Sequence, residues 1–363
     1  MRDYDGFIRG ELHRAAAPAN YTIDCFVSSE VAYNDVLRRC MPVGDAPRGA
    51  WLGVGPDQNF TYIGALRPQF AVILDARLDN LLEHLLFKLL FAEARGPLDY
   101  LCMLLGRRRP VGDLADPAAA SGKAVLARLS EQPLDEEHEK ASRARVESVF
   151  AARWGANAEI LRRVERIQME FVRRQLRVTS VSESCLANLD KIPDFGEVIG
   201  ATTAEGFNLH YLTCPDHFAY VKDLHARDRI VPMVGNVTDP TAIARVRDLL
   251  GETGLRLSAV YLSNLEEFLL QRYVISNDRI TERPNPHGDL TGSAGAAYER
   301  LLQQLEALPC DDDAVLIRFY FPGEHRGRSL GVFPWLDGHV TFLRDFLRRV
   351  RAEQPESVMA TYV

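Results

Sequence analysis

The sequence lacks the features that would narrow its chemistry fastest. Its six cysteines, Cys25, Cys40, Cys102, Cys185, Cys214 and Cys310, include no C-x-x-C pair and fit no zinc spacing. In a chain of 363 residues they read as reduced thiols of a cytoplasmic protein, and no metal ligands are expected. Positive charge is not in surplus. The 43 Lys and Arg stand against 50 Asp and Glu, for a net charge of −7, so no general nucleic-acid binding is expected. No apolar run is long enough to span a bilayer. The longest, Leu81 to Ala92, is broken by Glu83, His84 and Lys88, so no membrane partner is expected. The polar N-terminus carries no apolar signal segment, and no Walker lysine motif is present. The expected partner is a small-molecule substrate, with a homodimer left open.

What is present begins at Trp51-Leu-Gly-Val-Gly-Pro-Asp-Gln-Asn-Phe60. This reads as a buried strand, a glycine-bearing turn and a helix over 60–66. A second strand over 70–74 ends on Asp75. Strand, Gly-x-Gly turn, helix and strand-end carboxylate make the opening of a nucleotide-binding βαβ unit. Upstream, residues 1–20 suggest a short amphipathic helix, and Ser28 and Ser29 suggest N-caps for a helix through Val31, Val36 and Leu37. Glu30 and Tyr33 are candidates to fold over a ligand. Downstream, 79–92 and 138–178 read as helices, 229–239 as a strand ending in a polar loop, and 240–250 as a helix opening on Pro240. Strands follow over 255–264 and 314–321, and a helix over 339–352. Strands alternating with helices argue an α/β protein with an open, mostly parallel sheet.

In such a sheet, ligands lie beyond the carboxyl ends of the strands. The residues there are Gly53, Gly55, Asp57 and Asn59, then Asp75, then Asn236 and Asp239, then Ser263 and Asn264. Carboxylates, amides and hydroxyls in these places suit a nucleoside with a charged amino-acid tail. Asp75 would accept both ribose hydroxyls. Asn236 or Asp239 would read the adenine amino group, and the turn amides with Asp57 or Asn59 would hold the tail. The competing readings are that Asp75 pairs with Arg77 and that Ser263-Asn264 cap the next helix. His210, His217 and His225 are not spaced to converge on one helix face.

Leu52-Gly-Val-Gly, Asp75, Val234-Gly-Asn-Val-Thr-Asp239 and Ala259-Val-Tyr-Leu-Ser-Asn-Leu-Glu-Glu-Phe268 resemble the successive motifs of class I S-adenosylmethionine-dependent methyltransferases. The resemblance covers about 45–80 and 228–320. It implies a seven-stranded, Rossmann-like fold binding S-adenosyl-L-methionine. It departs from the family at Trp51, where an acidic residue is usual, at Asp57, where a third glycine is usual, and at Asn236. The domain reading that follows has an N-terminal helical segment over the site (1–44), a Rossmann-like core (45–80 and 228–363) and a helical insertion or lid (81–227). Tyr211, His210 and Glu266 are the candidate bases or orienting groups for methyl transfer, or for aminocarboxypropyl transfer or cyclisation. The rival readings are an NAD(P)-dependent oxidoreductase and a non-catalytic adenine-nucleoside-binding protein.

Overall fold

Apolar runs with no polar alternation demand burial on both faces, and the centre of the molecule follows from that. The structure, a computed structural model, describes residues 3–14, 25–40, 48–111, 122–180, 192–270, 274–276, 279–282, 289–320 and 337–362. In chain order the elements are α1 (Tyr4–Arg14), α2 (Tyr33–Cys40), β1 (Ala50–Gly53), α3 (Gln58–Leu66), β2 (Phe70–Asp75), α4 (Leu78–Glu93), α5 (Pro97–Leu104), α6 (Gly122–Ser130), α7 (Glu136–Trp154) and α8 (Ala158–Arg174). They continue with α9 (Phe195–Gly200), α10 (Pro215–Ala226), β3 (Ile230–Val234), α11 (Pro240–Thr253), β4 (Leu257–Ser263), α12 (Leu265–Leu269), β5 (Val274–Ser276) and β6 (Arg279–Glu282). The last are α13 (Gly292–Ala307), β7 (Cys310–Tyr320), β8 (Asp337–Phe342) and α14 (Leu343–Glu353).

Six strands form one sheet in the order β3-β2-β1-β4-β7-β8. The first five run parallel, and β8 pairs antiparallel with β7. β1 is buried throughout and β2 nearly so. Pro232 cannot donate to a ladder, which an edge strand such as β3 tolerates. Strand order reverses at β1, whose neighbours are β2 and β4, so a crevice opens between the carboxyl ends of β1 and β4. The register puts Gly53 beside Ile73 on one side and Tyr261 on the other, and Asp75 beside Val234.

Local chemistry sets the helix boundaries. Asp239 accepts from the Thr241 N–H, with Pro240 opening α11. Gly155 at φ +68 ends α7, and Asn157 caps α8. Three sequence expectations change. α2 starts at Tyr33, and the Ser28 hydroxyl accepts from the Glu30 N–H (3.1 Å) instead of capping it. Residues 339–342, expected in a helix, belong to β8. Among the described residues the main sheet has six strands where the resemblance implies seven.

The stretch expected as an insertion is mostly helical among the described residues, with residues 201–214 as a non-helical connection before α10. Its first helix, α4, lies against β2 and β3, and its last, α10, lies against α3 and α4. No helix among the described residues is long and apolar enough to cross a membrane.

Candidate functional site

The turn after β1 is built around Asn59. Its amide donates to the carbonyls of Val54 (2.9 Å), Gly55 (3.2 Å) and Pro56 (2.9 Å), and its Oδ1 accepts from the Trp51 indole N–H (3.0 Å). Asn59 is fully buried, so it holds the turn from beneath. The two glycines have separate reasons. A Cβ on Gly53 would collide with Asn59 and the Trp51 ring. Gly55 has φ +81, a conformation side chains resist, and a Cβ there would have no atom within 4 Å. Of the two glycines, only Gly55 has open space on the side where a Cβ would lie.

Residues 25–30 run as a strap over three strand ends. The Cys25 carbonyl accepts from Arg77 Nη1 beyond β2 (3.0 Å). The Ser28 N–H faces the Asp57 carboxyl beyond β1. Glu30, 1% exposed, accepts from Tyr261 Oη (2.8 Å) and Ser263 Oγ (2.5 Å) on β4. Ser263 sits at φ +52, a left-handed conformation held by that contact. Burial raises the Glu30 carboxyl to about 7, against the pull of its two hydroxyl donors.

Asp57 lies at the start of α3 and is 3% exposed. It accepts from Tyr211 Oη (3.1 Å), and burial raises it to about 7. Glu83 on α4 faces it, fully buried, with no hydrogen-bond partner on either oxygen. Burial holds Glu83 well above the ordinary carboxylate range, and the neighbouring Asp57 adds to this. The next residue on α4 also serves the turn: His84 Nε2 donates to the Gly55 carbonyl (3.0 Å), and burial lowers its ring to about 4, so it is neutral.

Asp75 is engaged by Arg77. Its Oδ1 accepts from the Arg77 N–H (2.8 Å) and Nε (2.9 Å), and its Oδ2 from Nη2 (2.7 Å). A carboxylate has about four acceptor sites, so one is left for a ligand hydroxyl. Asn236 Oδ1 accepts from Thr238 N and Oγ1 (2.9 Å each), and Asp239 is an exposed helix cap. Ser263 and Asn264 touch each other (3.3 Å) beside Glu30.

The three candidate bases separate. Tyr211 joins Asp57. His210 is fully buried, accepts from the Leu212 N–H through Nδ1 (3.2 Å), and is lowered to about 3 by burial, which makes it a weak proton acceptor near neutrality. Glu266 lies in another cluster, paired with Arg318 (3.1 Å) and accepting from Tyr362 Oη (2.5 Å). Among the described residues no group of three or more His, Cys, Asp and Glu could hold a metal.

Sequence reading passed over Glu83, which looks like a polar break in an apolar run. It also passed over Gly327-Arg-Ser-Leu-Gly331, which has the spacing of a serine-hydrolase elbow. That run lies outside the described residues. A surface groove of about 480 Å³ beside Arg247, Asp248, Arg256 and Pro309 lies at the amino ends of β4 and β7, away from these groups.

No curated protein matches the chain. A family model described as a domain of unknown function (DUF7790) matches residues 135–277, a stretch that includes α7, β3, β4 and β5.

Proposed function

We propose that the chain is a transferase that binds S-adenosylmethionine beyond the carboxyl ends of β3, β2, β1 and β4. It would pass a group from this donor to a small-molecule acceptor. On this reading the sheet is a Rossmann-like, methyltransferase-like core. Methyl transfer is the first choice, and aminocarboxypropyl transfer or cyclisation the next. The observation that carries the reading is the strand order, which sets the Gly53–Asp57 turn, Asp75, Asn236 and Ser263 on four adjacent strand ends around the crevice.

The residues fit the donor in most places. Gly55 leaves the backbone open, Asp75 retains one acceptor site, and Asp57 is positioned for a charged tail. S-adenosylmethionine supplies an electrophilic carbon beside a neutral thioether leaving group, so the protein mainly has to align and desolvate. The strap excludes water from above, and buried aromatic rings do so from below, where Trp51 stacks with Tyr62 (5.7 Å) and Tyr261 (5.9 Å). Glu30, with its carboxyl near neutrality at the end of β4, is the group best suited to take a proton from an acceptor. A dinucleotide is served less well, because Asp57 in the turn would oppose a pyrophosphate.

The test is calorimetric titration with S-adenosylmethionine, S-adenosylhomocysteine, methylthioadenosine and NADH, with Asp75→Ala as control. Binding of the adenosyl compounds, weakened in the variant, is expected. Binding of NADH alone would favour an oxidoreductase, and silence with all four would reject the reading.

A further inference from the structure

A buried carboxyl with no partner is expensive to keep, because its desolvation is uncompensated. Glu83 is such a group, and it is not isolated. It faces Asp57, also buried, whose Oδ2 accepts from Tyr211. Tyr100, fully buried beside Tyr211 with ring centroids 6.3 Å apart, senses both carboxyls. The other groups facing Glu83 are Arg77, Asp75, Asp79 and Cys25. Arg77 is the one cation among these, and it is engaged by Asp75 and the Cys25 carbonyl. Asp79 is engaged by Arg163 and Arg166. His84 on the same helix is neutral. Acceptor oxygens are therefore gathered beneath the β1–α3 turn with no cation of their own.

We propose that Asp57 and Glu83 form a subsite for a primary ammonium group of a small ligand. An ammonium offers three donors on a compact charge; Glu83 supplies two oxygens without partners, and Asp57, already bonded by Tyr211 and backbone N–H groups, adds a neighbouring carboxyl. A hard metal ion asks for more oxygens than two carboxyls provide, and none of the described residues form a metal-holding group. The ammonium can belong to the amino-acid tail of a sulfonium nucleoside or to a free alkylamine. The subsite deepens the transferase reading in the first case and stands without it in the second. Both carboxyls are held toward their protonated forms by burial, so ammonium binding draws them to the charged state and releases protons.

The experiment is calorimetry on the full chain with S-adenosylhomocysteine, its N-acetyl derivative and putrescine, in two buffers of different ionisation enthalpy. Wild type is expected to prefer the free amine over the acetylated nucleoside by about tenfold to a hundredfold, the range for a charge-assisted hydrogen bond. It should also release protons on binding. Glu83→Gln, which mimics the protonated acid, should melt no lower than wild type while losing both the preference and the proton release. Should that variant fail to fold, the buffer dependence of wild type decides. Putrescine binding that depends on Glu83, with both nucleosides silent, would keep the subsite and reject the adenosyl donor. Equal binding of the free and acetylated nucleosides would overturn the subsite and keep the donor. Silence with all three probes would overturn both.

Discussion

Replacing Glu30 by Gln should change the pH dependence of stability more than its level in acid. Burial moves the Glu30 carboxyl from its ordinary 4.5 to about 7. The folded chain thus prefers the protonated acid. Its stabilising contribution is fully present below about pH 4.5 and is lost as pH rises through about 7. A move of this size corresponds to ~3 kcal/mol. Gln copies the protonated acid in shape but cannot ionise. Wild type and Glu30→Gln should therefore be close in stability at about pH 4.5, and the variant should gain on wild type by ~3 kcal/mol by about pH 8. Asp57, also raised to about 7, is common to both proteins and cancels. The assay is urea unfolding at several pH values, followed by tryptophan fluorescence, to which Trp51, stacked on Tyr261 beside Glu30, contributes. Parallel pH curves for the two proteins, or a gap that closes as pH rises, would refute the argument.

Other outcomes follow from single contacts. Asn59→Ala removes three donated bonds and strands the Trp51 indole N–H, so denaturant unfolding should show a loss of ~2–4 kcal/mol. Gly55→Ala meets no atom but strains φ +81. Its stability should drop by ~1–2 kcal/mol, and its affinity for S-adenosylmethionine, read by calorimetry, should fall by more than strain alone predicts. Glu266→Ala leaves the fully buried Arg318 without its carboxylate. That should reduce stability by ~3–5 kcal/mol, and melting should register the change before any turnover assay does.

The β1–α3–β2 unit was legible almost to the residue. The expected helix over 60–66 is Gln58–Leu66, and the expected second strand is Phe70–Asp75. Continuous apolar runs and a glycine turn are local signals, and tertiary packing did not override them. β8 was not legible, because Asp337–Phe342 runs without a break into the amphipathic α14. The site divides in the same way. Asp57 and Asp75 could be found from their places at strand ends. Asn59 was found too, but for a different role, since its use in clasping the turn depends on where Trp51 points. Glu83 carries no local signal: it becomes informative only when α4 brings it against a residue from another element.

The strap also constrains how the chain is made. Glu30 finds its hydroxyl partners 231 and 233 residues later, and Glu11, which accepts from the Val234 N–H, waits 223 residues. During synthesis the N-terminal segment therefore emerges long before β3 and β4, and such distant pairings form slowly. The crevice is roofed by a segment made well before the strands it covers and closes among the last contacts to form. Until then the carboxyls beneath it stay hydrated, and the faces of α1 and α2 that meet β3 and β8 remain open to chaperones.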